Sequence, residues 1–467
     1  MYGLAFWSRR RIHDEVDFLV AGRRLPLMLS ASTLLATWFG AGTMLTATDE
    51  VRRVGLSATA LEPLGSGFCL LIAGFFFAAP LWKMKLLTLS DFFGRRFGSS
   101  AEMTSACILV PSYFGWIAVQ FLALAAMLEL IFGLPLHYGV VVIAVVGTGY
   151  TLLGGMWSVT LTDAVQIAIL LVGIVILGFS ALVNIGDGSL LAGWNALLTE
   201  TTPGFLTFIP TDRWTSLLDW FGVFCIAALG NVPTQDLTQR IFAAKSATVA
   251  RQACWIAGIC YIVFGLIPVI LGLVSRILFP EATDQAILPL LARAFLTPGM
   301  SILFILALSA AVLSTIDSAI LAPASVLGQN ILPQLLRRRY STLFLTRISI
   351  VGVSAASVVT AFLGHNAYSL LEEAYALTLV GLLVPLTLGI YSASKGQGSA
   401  MASMIVGCAS WGLHFVFSWE AFLEPLLEPY GILLPPALSS ALLGLLAYQA
   451  FPTRESSEAR SSETGLA

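Results

Sequence analysis

The sequence predicts an all-α polytopic membrane protein, and three observations carry that prediction. Of its 467 residues, 57% are hydrophobic and 11% are charged, where a soluble domain carries about 25% charged residues. Twelve apolar segments stand out along the chain, most of them close to the ~20 residues that cross a bilayer as a helix. Within each, the apolar run is continuous rather than alternating, which excludes a membrane-spanning β-barrel. The lipid bilayer is therefore the expected surroundings.

Taken in order, the spans fall at roughly 26–48, 58–82, 103–132, 137–153, 161–184, 216–232, 252–275, 299–327, 343–363, 368–391, 399–419 and 431–451. With the N-terminus inside, 19 of the 24 Lys and Arg residues lie on the cytoplasmic side. That asymmetry places both termini in the cytoplasm. The cytoplasmic set includes Arg9, Arg10, Arg11, Arg240, Arg337, Arg338, Lys395, Arg454 and Arg460. The apolar run before Arg9 is too short for a cleavable signal peptide. The polar segment 452–467 reads as a disordered cytoplasmic tail.

Several function classes are disfavoured at once. A net charge of −2 points to no nucleic-acid partner. The six cysteines lie in apolar segments without C-x-x-C spacing, as small buried hydrophobes do. The four histidines form no ligand pair. With no nucleophile–base–orienter set, an enzyme is not expected.

The first span is interrupted in its middle by Thr37-Trp-Phe-Gly-Ala-Gly42, since paired glycines weaken a helix. The sixth is interrupted by Leu229-Gly-Asn-Val-Pro-Thr-Gln-Asp236, where proline removes a backbone donor. If the chain holds two five-helix halves, these are the first helix of each. Paired interruptions at corresponding positions point to a central site in an inverted-repeat transporter. The fifth span opens with Asp163 and Gln166, three residues apart and so on one helical face. The eighth carries the most informative stretch, Ala307-Leu-Ser-Ala-Ala-Val-Leu-Ser-Thr-Ile-Asp-Ser318. Ala311, Ser314, Thr315 and Ser318 share one helical face, with Asp317 beside them. An ionisable group at that depth marks an ion or substrate path. Hydroxyl, carboxylate and carbonyl oxygens together suit a hard cation such as sodium.

Four ordered blocks carry a resemblance. They are Asp17-Phe-Leu-Val-Ala-Gly-Arg-Arg-Leu-Pro26, Gly154-Gly-Met-Trp-Ser-Val-x-x-Thr-Asp-x-x-Gln166, Gln239-Arg-x-x-Ala-Ala-Lys-Ser246 and Leu313-Ser-Thr-x-Asp-Ser318. Together they resemble the sodium:solute symporter family from about Asp17 to Tyr391. The resemblance implies an inverted 5+5 helix repeat with two extra C-terminal helices. It divides the chain into an N-terminal cytoplasmic segment 1–25, a ten-helix core 26–391 with repeats over about 26–184 and 216–391, two accessory helices in 392–451, and the tail 452–467. Family members commonly carry a helix before the core, of which 1–25 would be a remnant.

By the same resemblance, the principal sodium site is formed by Ala36, Phe39, Ala311 and Ser314 through backbone carbonyls and by Thr315 through its hydroxyl. A second sodium site matches Asp163, Ser314, Asp317 and Ser318. Within the family the chain looks most similar to the choline-transporter branch, on Ala36-Thr-Trp-Phe-Gly40 and Gly154-Gly-Met-Trp-Ser158. A quaternary ammonium needs an aromatic cage. Trp38 and Trp116 match two cage positions, whereas Ser66, Thr234 and Leu371 occupy others and offer no π face. Gly40, Asn231, Thr234 and Gln235 complete the expected solute site and favour hydrogen bonding. Glu62, Glu372 and Glu373 lie near predicted outer helix ends and read as solvated or gate residues, or otherwise as cation-selecting groups.

The expected function is sodium-coupled import of a small organic solute across the cell membrane by alternating access. Amino acids, choline-like amines and carboxylates stay open as solutes. Proton coupling through Asp163 or Asp317 is an alternative. So is nutrient sensing, although a tail of roughly 16 residues is too short for a packed signalling domain.

Overall fold

In a computed structural model the chain is helical throughout its core. The structure describes residues 14–281, 287–336, 339–364, 367–392 and 396–451. Arg9–Arg11, Arg337, Arg338, Lys395, Arg454, Arg460 and the tail 452–467 lie outside the described residues.

The helices that position the site are α1 (Glu15–Val20), α2 (Leu27–Trp38), α3 (Gly42–Val54), α4 (Leu56–Lys83), α5 (Leu89–Phe97), α6 (Ser99–Phe132), α7 (Leu136–Gly149), α8 (Gly155–Ile185), α9 (Trp214–Gly230), α10 (Gln235–Ala243), α11 (Ala247–Leu278), α12 (Ile287–Phe295), α13 (Pro298–Leu335), α14 (Thr342–Leu363), α15 (Ala367–Tyr391), α16 (Gln397–Phe417) and α17 (Pro436–Gln449). Among the described residues, eight helices are long and apolar enough to cross a membrane, and the bent pair α2–α3 makes a ninth. Nine of the expected spans coincide with these; the other three, 137–153, 399–419 and 431–451, fall on α7, α16 and α17, which are not among the nine.

The exterior is apolar and the interior holds the polar groups. Along α8, Val165, Ile169, Val172 and Phe179 face outward, while Thr160, Thr162, Asp163 and Gln166 are buried. That distribution suits a chain surrounded by lipid, where polar groups must find partners inside.

Both interruptions are present. α2 and α3 meet at a 54° bend. At the break Phe39 leaves the helical region (φ −77°, ψ 53°). In the sixth span, Thr234 is extended between α9 and α10. The sixth span differs from expectation in length: it runs Trp214–Ala243, about eleven residues beyond the expected end. Its second half, Gln-Asp-Leu-Thr-Gln-Arg-Ile-Phe-Ala, is buried at every position. Arg240, read as a cytoplasmic loop residue, is instead 1% exposed. Polar composition hid this half-helix, because its polar side chains are satisfied by other helices rather than by water.

The starts and ends of the two broken spans are tied together. Leu25 donates its amide to the Ala243 carbonyl at 3.1 Å, and Lys245 returns one to Leu25 at 3.0 Å. The Trp82 indole caps the same strap by donating to the Ala244 carbonyl at 2.7 Å. α5 begins on a capping box in which Thr88 and Asp91 satisfy each other's backbone amides. Between α7 and α8 the chain turns at Gly155, with φ +52° and no room for a side chain, since a Cβ there would lie 2.6 Å from the Phe18 ring. This turn aims Asp163 inward, toward α2 and α13.

Candidate functional site

Backbone groups freed at the two breaks are satisfied by side chains of neighbouring helices. The Ala41 amide donates to Gln120 Oε1 of α6 at 2.8 Å. On the sixth span, Thr378 of α15 donates to the Gly230 carbonyl at 2.7 Å, and the Asp236 amide donates to the Tyr113 hydroxyl of α6 at 2.9 Å. Each break is thus held open by hydrogen bonds from neighbouring helices, which satisfy backbone groups the helix no longer pairs.

The residues expected around sodium are brought together in part. Thr315 Oγ1 lies 3.3 Å from the Ala36 carbonyl and 3.2 Å from the Ala311 carbonyl. A hydroxyl has one proton, so it cannot donate to both carbonyls at once. Three oxygens from two helices converge there with one hydrogen between them, an arrangement a hard cation fits. Gly40 permits the approach: a Cβ on it would lie 2.8 Å from Thr315 Cγ2 and from Gln120 Oε1. Phe39 stands at the same break, its ring edge-on to Tyr261 at 5.2 Å.

The second expected group divides between partners. Asp163 accepts from Ser314 on Oδ1 and from Thr33 at 2.5 Å on Oδ2. Asp317, fully buried, accepts instead from Thr151 of the α7–α8 segment at 3.0 Å. Ser318 accepts from Arg240 Nη2 at 2.5 Å. Arg240 also donates to the carbonyls of Thr33 at 3.2 Å and Asp236 at 3.0 Å. It therefore fastens α10 to both α2 and α13.

Between the two breaks lies a small cavity lined by both of them. Of the expected solute residues, Trp38, Trp116, Asn231 and Thr234 line it. Gly40 is packed on Thr315 as described, and Ser66 is buried and donates to Glu62 at 2.7 Å. Gln235 is turned away, accepting from the Leu89 amide at 2.7 Å and donating toward Ser325 at 3.2 Å. Leu371 packs against the Gly42 position.

Seven further residues line the cavity, among them Glu62, Tyr113, Asp236 and Tyr375; sequence reading placed none of them in the solute site and singled out Glu62 only as a solvated, gate or cation-selecting group. Glu62 is not solvated: it is 3% exposed. It sits in an irregular turn of α4 (φ −131°, ψ 128°). Its carboxylate accepts from Ser66, from Tyr375 at 3.2 Å, from Thr43 at 3.3 Å and from Tyr261. Asp236 accepts from the Tyr113 hydroxyl at 2.5 Å. Among the described residues, the ion pairs are Arg24–Asp17 and Arg53–Glu50; neither cavity carboxylate has a cationic side chain in contact. The available signal was Glu62-Pro63 inside an apolar span, where an ionisable residue is costly.

Two interrupted helices around a central cavity that holds two buried carboxylates, inside an apolar shell, define a secondary transporter with inverted-repeat architecture. The comparisons agree on that class and narrow it. The profile of the sodium:solute symporter family matches residues 18–407, and the chain belongs to that family. The human high affinity choline transporter 1 is 26% identical over 83% of this chain and 69% of its own length. The sodium/glucose cotransporter of Vibrio parahaemolyticus is 22% identical over 81% and 76%. Among solved structures, a substrate-bound, outward-open Na+-coupled sialic acid symporter superposes with a TM-score of 0.75 at 18% identity, covering 96% of this chain and 95% of that one. A nucleobase-cation-symport-1 family transporter in a closed conformation gives 0.59 at 15% identity, over 94% and 97%. The fold is the 5+5 inverted repeat, and the protein is a multi-pass membrane protein that carries out sodium-coupled symport of a small organic solute. Its family and relatives are transporters rather than enzymes.

Proposed function

We propose that the solute is a small organic cation. The observation that supports this reading is Glu62, a buried carboxylate that lines the cavity and touches no cationic side chain. A buried charge without a counter-charge is costly, and a cationic solute would offset that cost on binding. Trp38 and Trp116 line the same cavity and offer π faces, which attract cations. The choline transporters among the relatives handle a solute of this charge.

Sodium in this reading binds between α2 and α13, at the carbonyls of Ala36, Phe39, Ala311 and Ser314 with the Thr315 hydroxyl. Asp163, one hydroxyl away through Ser314, adds negative charge to the neighbourhood. Asp317 and Ser318 would join Asp163 in a second cation site only after Ser318 is released from Arg240. Sodium joins the broken first span to α13 and so favours the state that can close around solute, by differential binding. Inward movement of one elementary charge yields about 2.3 kcal/mol per 100 mV, enough for substantial accumulation. We take 26–391 as the transporting core, with repeats over 26–184 and 216–391, and 392–451 as accessory. We place both termini on the cytoplasmic side of the cell membrane, on the excess of basic residues there.

The test is thermal stability of the purified protein against choline, primary amines, glucose, betaine and carboxylates, in sodium and in potassium. A bound ligand stabilises the native state by mass action. Cations should stabilise, more in sodium, and Glu62→Gln should remove the effect. Stabilisation by a neutral or anionic solute and by no cation would overturn the proposal.

A further inference from the structure

The cavity holds a second carboxylate, and this bears on what kind of cation it takes. Asp236 lies at the start of α10, on the far side of the sixth-span break from α9, and lines the same cavity as Glu62. The two are carried by different helices and held by separate hydroxyl sets. Glu62 is held by Ser66, Thr43, Tyr261 and Tyr375; Asp236 is held by Tyr113. Hydroxyls steady a carboxylate without cancelling its charge.

The protein supplies little positive charge of its own. Arg240 is the one Lys or Arg buried among the described residues. Its hydrogen bonds go to two backbone carbonyls and to Ser318, and none goes to a carboxylate. Glu62, Asp163, Asp236 and Asp317 are all buried, four acidic side chains against one basic one.

A fully methylated ammonium is the competing occupant. Such a group has no N–H to donate and depends on aromatic faces around it. Trp38, Tyr113, Trp116 and Tyr375 line the cavity and offer such faces, but a methylated nitrogen would leave both carboxylates without a donor. The cavity also offers acceptor oxygen: two carboxylates, with the polar side chains of Asn231, Thr234 and Ser112 in the same lining. Charge-assisted N–H to carboxylate bonds are the strongest hydrogen bonds such a site can make.

We propose that the solute carries a protonated, N–H-bearing nitrogen at each of two ends, as a short aliphatic diamine does, with Glu62 receiving one end and Asp236 the other. This rests on the organic-cation reading above and narrows it. Trp38 and Trp116 then cover the aliphatic stretch between the two nitrogens.

The experiment is ligand binding and sodium-driven uptake by the full chain in liposomes, with 1,4-diaminobutane, 1-aminobutane and choline as probes. The diamine should bind at least about tenfold more tightly than the monoamine. Glu62→Gln and Asp236→Asn should each bring the diamine down to the monoamine's affinity. Tyr113→Phe removes the hydroxyl that donates to the Asp236 carboxylate and accepts the Asp236 amide, and should weaken the diamine more than the monoamine. That variant keeps the test sound if a charge-neutralising variant folds poorly. Equal or tighter binding of choline or the monoamine, still dependent on Glu62, would overturn the two-ended reading and leave the organic-cation reading intact. Binding of none of the three cations, with binding of a neutral or anionic solute, would overturn both.

Discussion

The hydroxyl of Thr315 in the middle of α13 lies 3.3 Å from the carbonyl of Ala36, in the last turn of α2. The residues are 279 positions apart in sequence, and their contact joins the broken helix of the first half to an unbroken helix of the second. A cation placed there would hold the two helices together, and without it one shared proton does so. Thr315→Ala removes the only side-chain oxygen of the three and leaves the two carbonyls facing each other. The half-saturating sodium concentration should rise by about tenfold or more, equivalent to ~1.4 kcal/mol, with little change in expression. Thr315→Ser should restore most of it. Uptake measured against sodium concentration decides, and an unchanged sodium dependence would remove this site from the mechanism.

Gly40 carries the same contact from the other side. A methyl at this position would sit 2.8 Å from Thr315 Cγ2 and 2.9 Å from its Oγ1. Neither atom is the end of a long flexible chain, so α2 and α13 must separate. Gly40→Ala should therefore lower sodium affinity at least as much as Thr315→Ala. It should also lower the melting temperature, since forcing extra volume into a packed interior costs about 1–3 kcal/mol. The two substitutions share one contact, so their combined effect on sodium should fall short of the sum.

Arg240 is the interior's own cation, and its removal should be felt by the fold before the ion site. It is 1% exposed and bridges the Thr33 carbonyl, the Asp236 carbonyl and Ser318. Arg240→Ala leaves those acceptors unfilled and the nearby buried carboxylates further from balance. Losing one partner of a buried charged network costs about 3–5 kcal/mol. The expected outcome is a markedly lower yield of folded protein and a lower melting temperature. Arg240→Lys keeps the charge, loses the fork that reaches three acceptors at once, and should fall between. A fully stable Arg240→Ala variant would mean that the carboxylates are balanced by something else.

The architecture was readable in the sequence where it rests on local chemistry. Gly40, Gly42, Gly230 and Pro233 announce the two breaks because glycine and proline act on the backbone wherever they stand. The face of Ala311, Ser314 and Thr315 was readable because helical spacing places those residues together. What stayed hidden depends on partners distant in sequence. α10 reads as a loop until Asp236 is seen to meet Tyr113, 123 residues earlier, and Arg240 to meet Ser318, 78 residues later. Glu62 looked like a helix-end carboxylate. Only the fold shows Tyr261 and Tyr375, from two other helices, enclosing it. The aromatic count was also misjudged: Trp38 and Trp116 were expected, while Tyr113 and Tyr375 came from positions outside any motif.

Gln120 offers a last way to separate the break itself from the ion it serves. Its Oε1 accepts the Ala41 amide at 2.8 Å, and the residue is fully buried on α6. It belongs neither to the carbonyl cluster around Thr315 nor to the cavity lining. Gln120→Leu keeps similar bulk and leaves the Ala41 amide without its acceptor, which for a buried donor costs about 1–3 kcal/mol. The break should then relax toward continuous helix, since an Ala41 amide bonded within the helix is the nearest remedy. Both sodium affinity and solute affinity should fall, each by roughly five- to a hundredfold on that energy scale. Thr315→Ala, by contrast, acts on sodium first. Parallel titrations of sodium and solute in the two variants test this. Equal profiles would mean that the interruption of the first span is maintained by the ion alone, and that Gln120 only fills space.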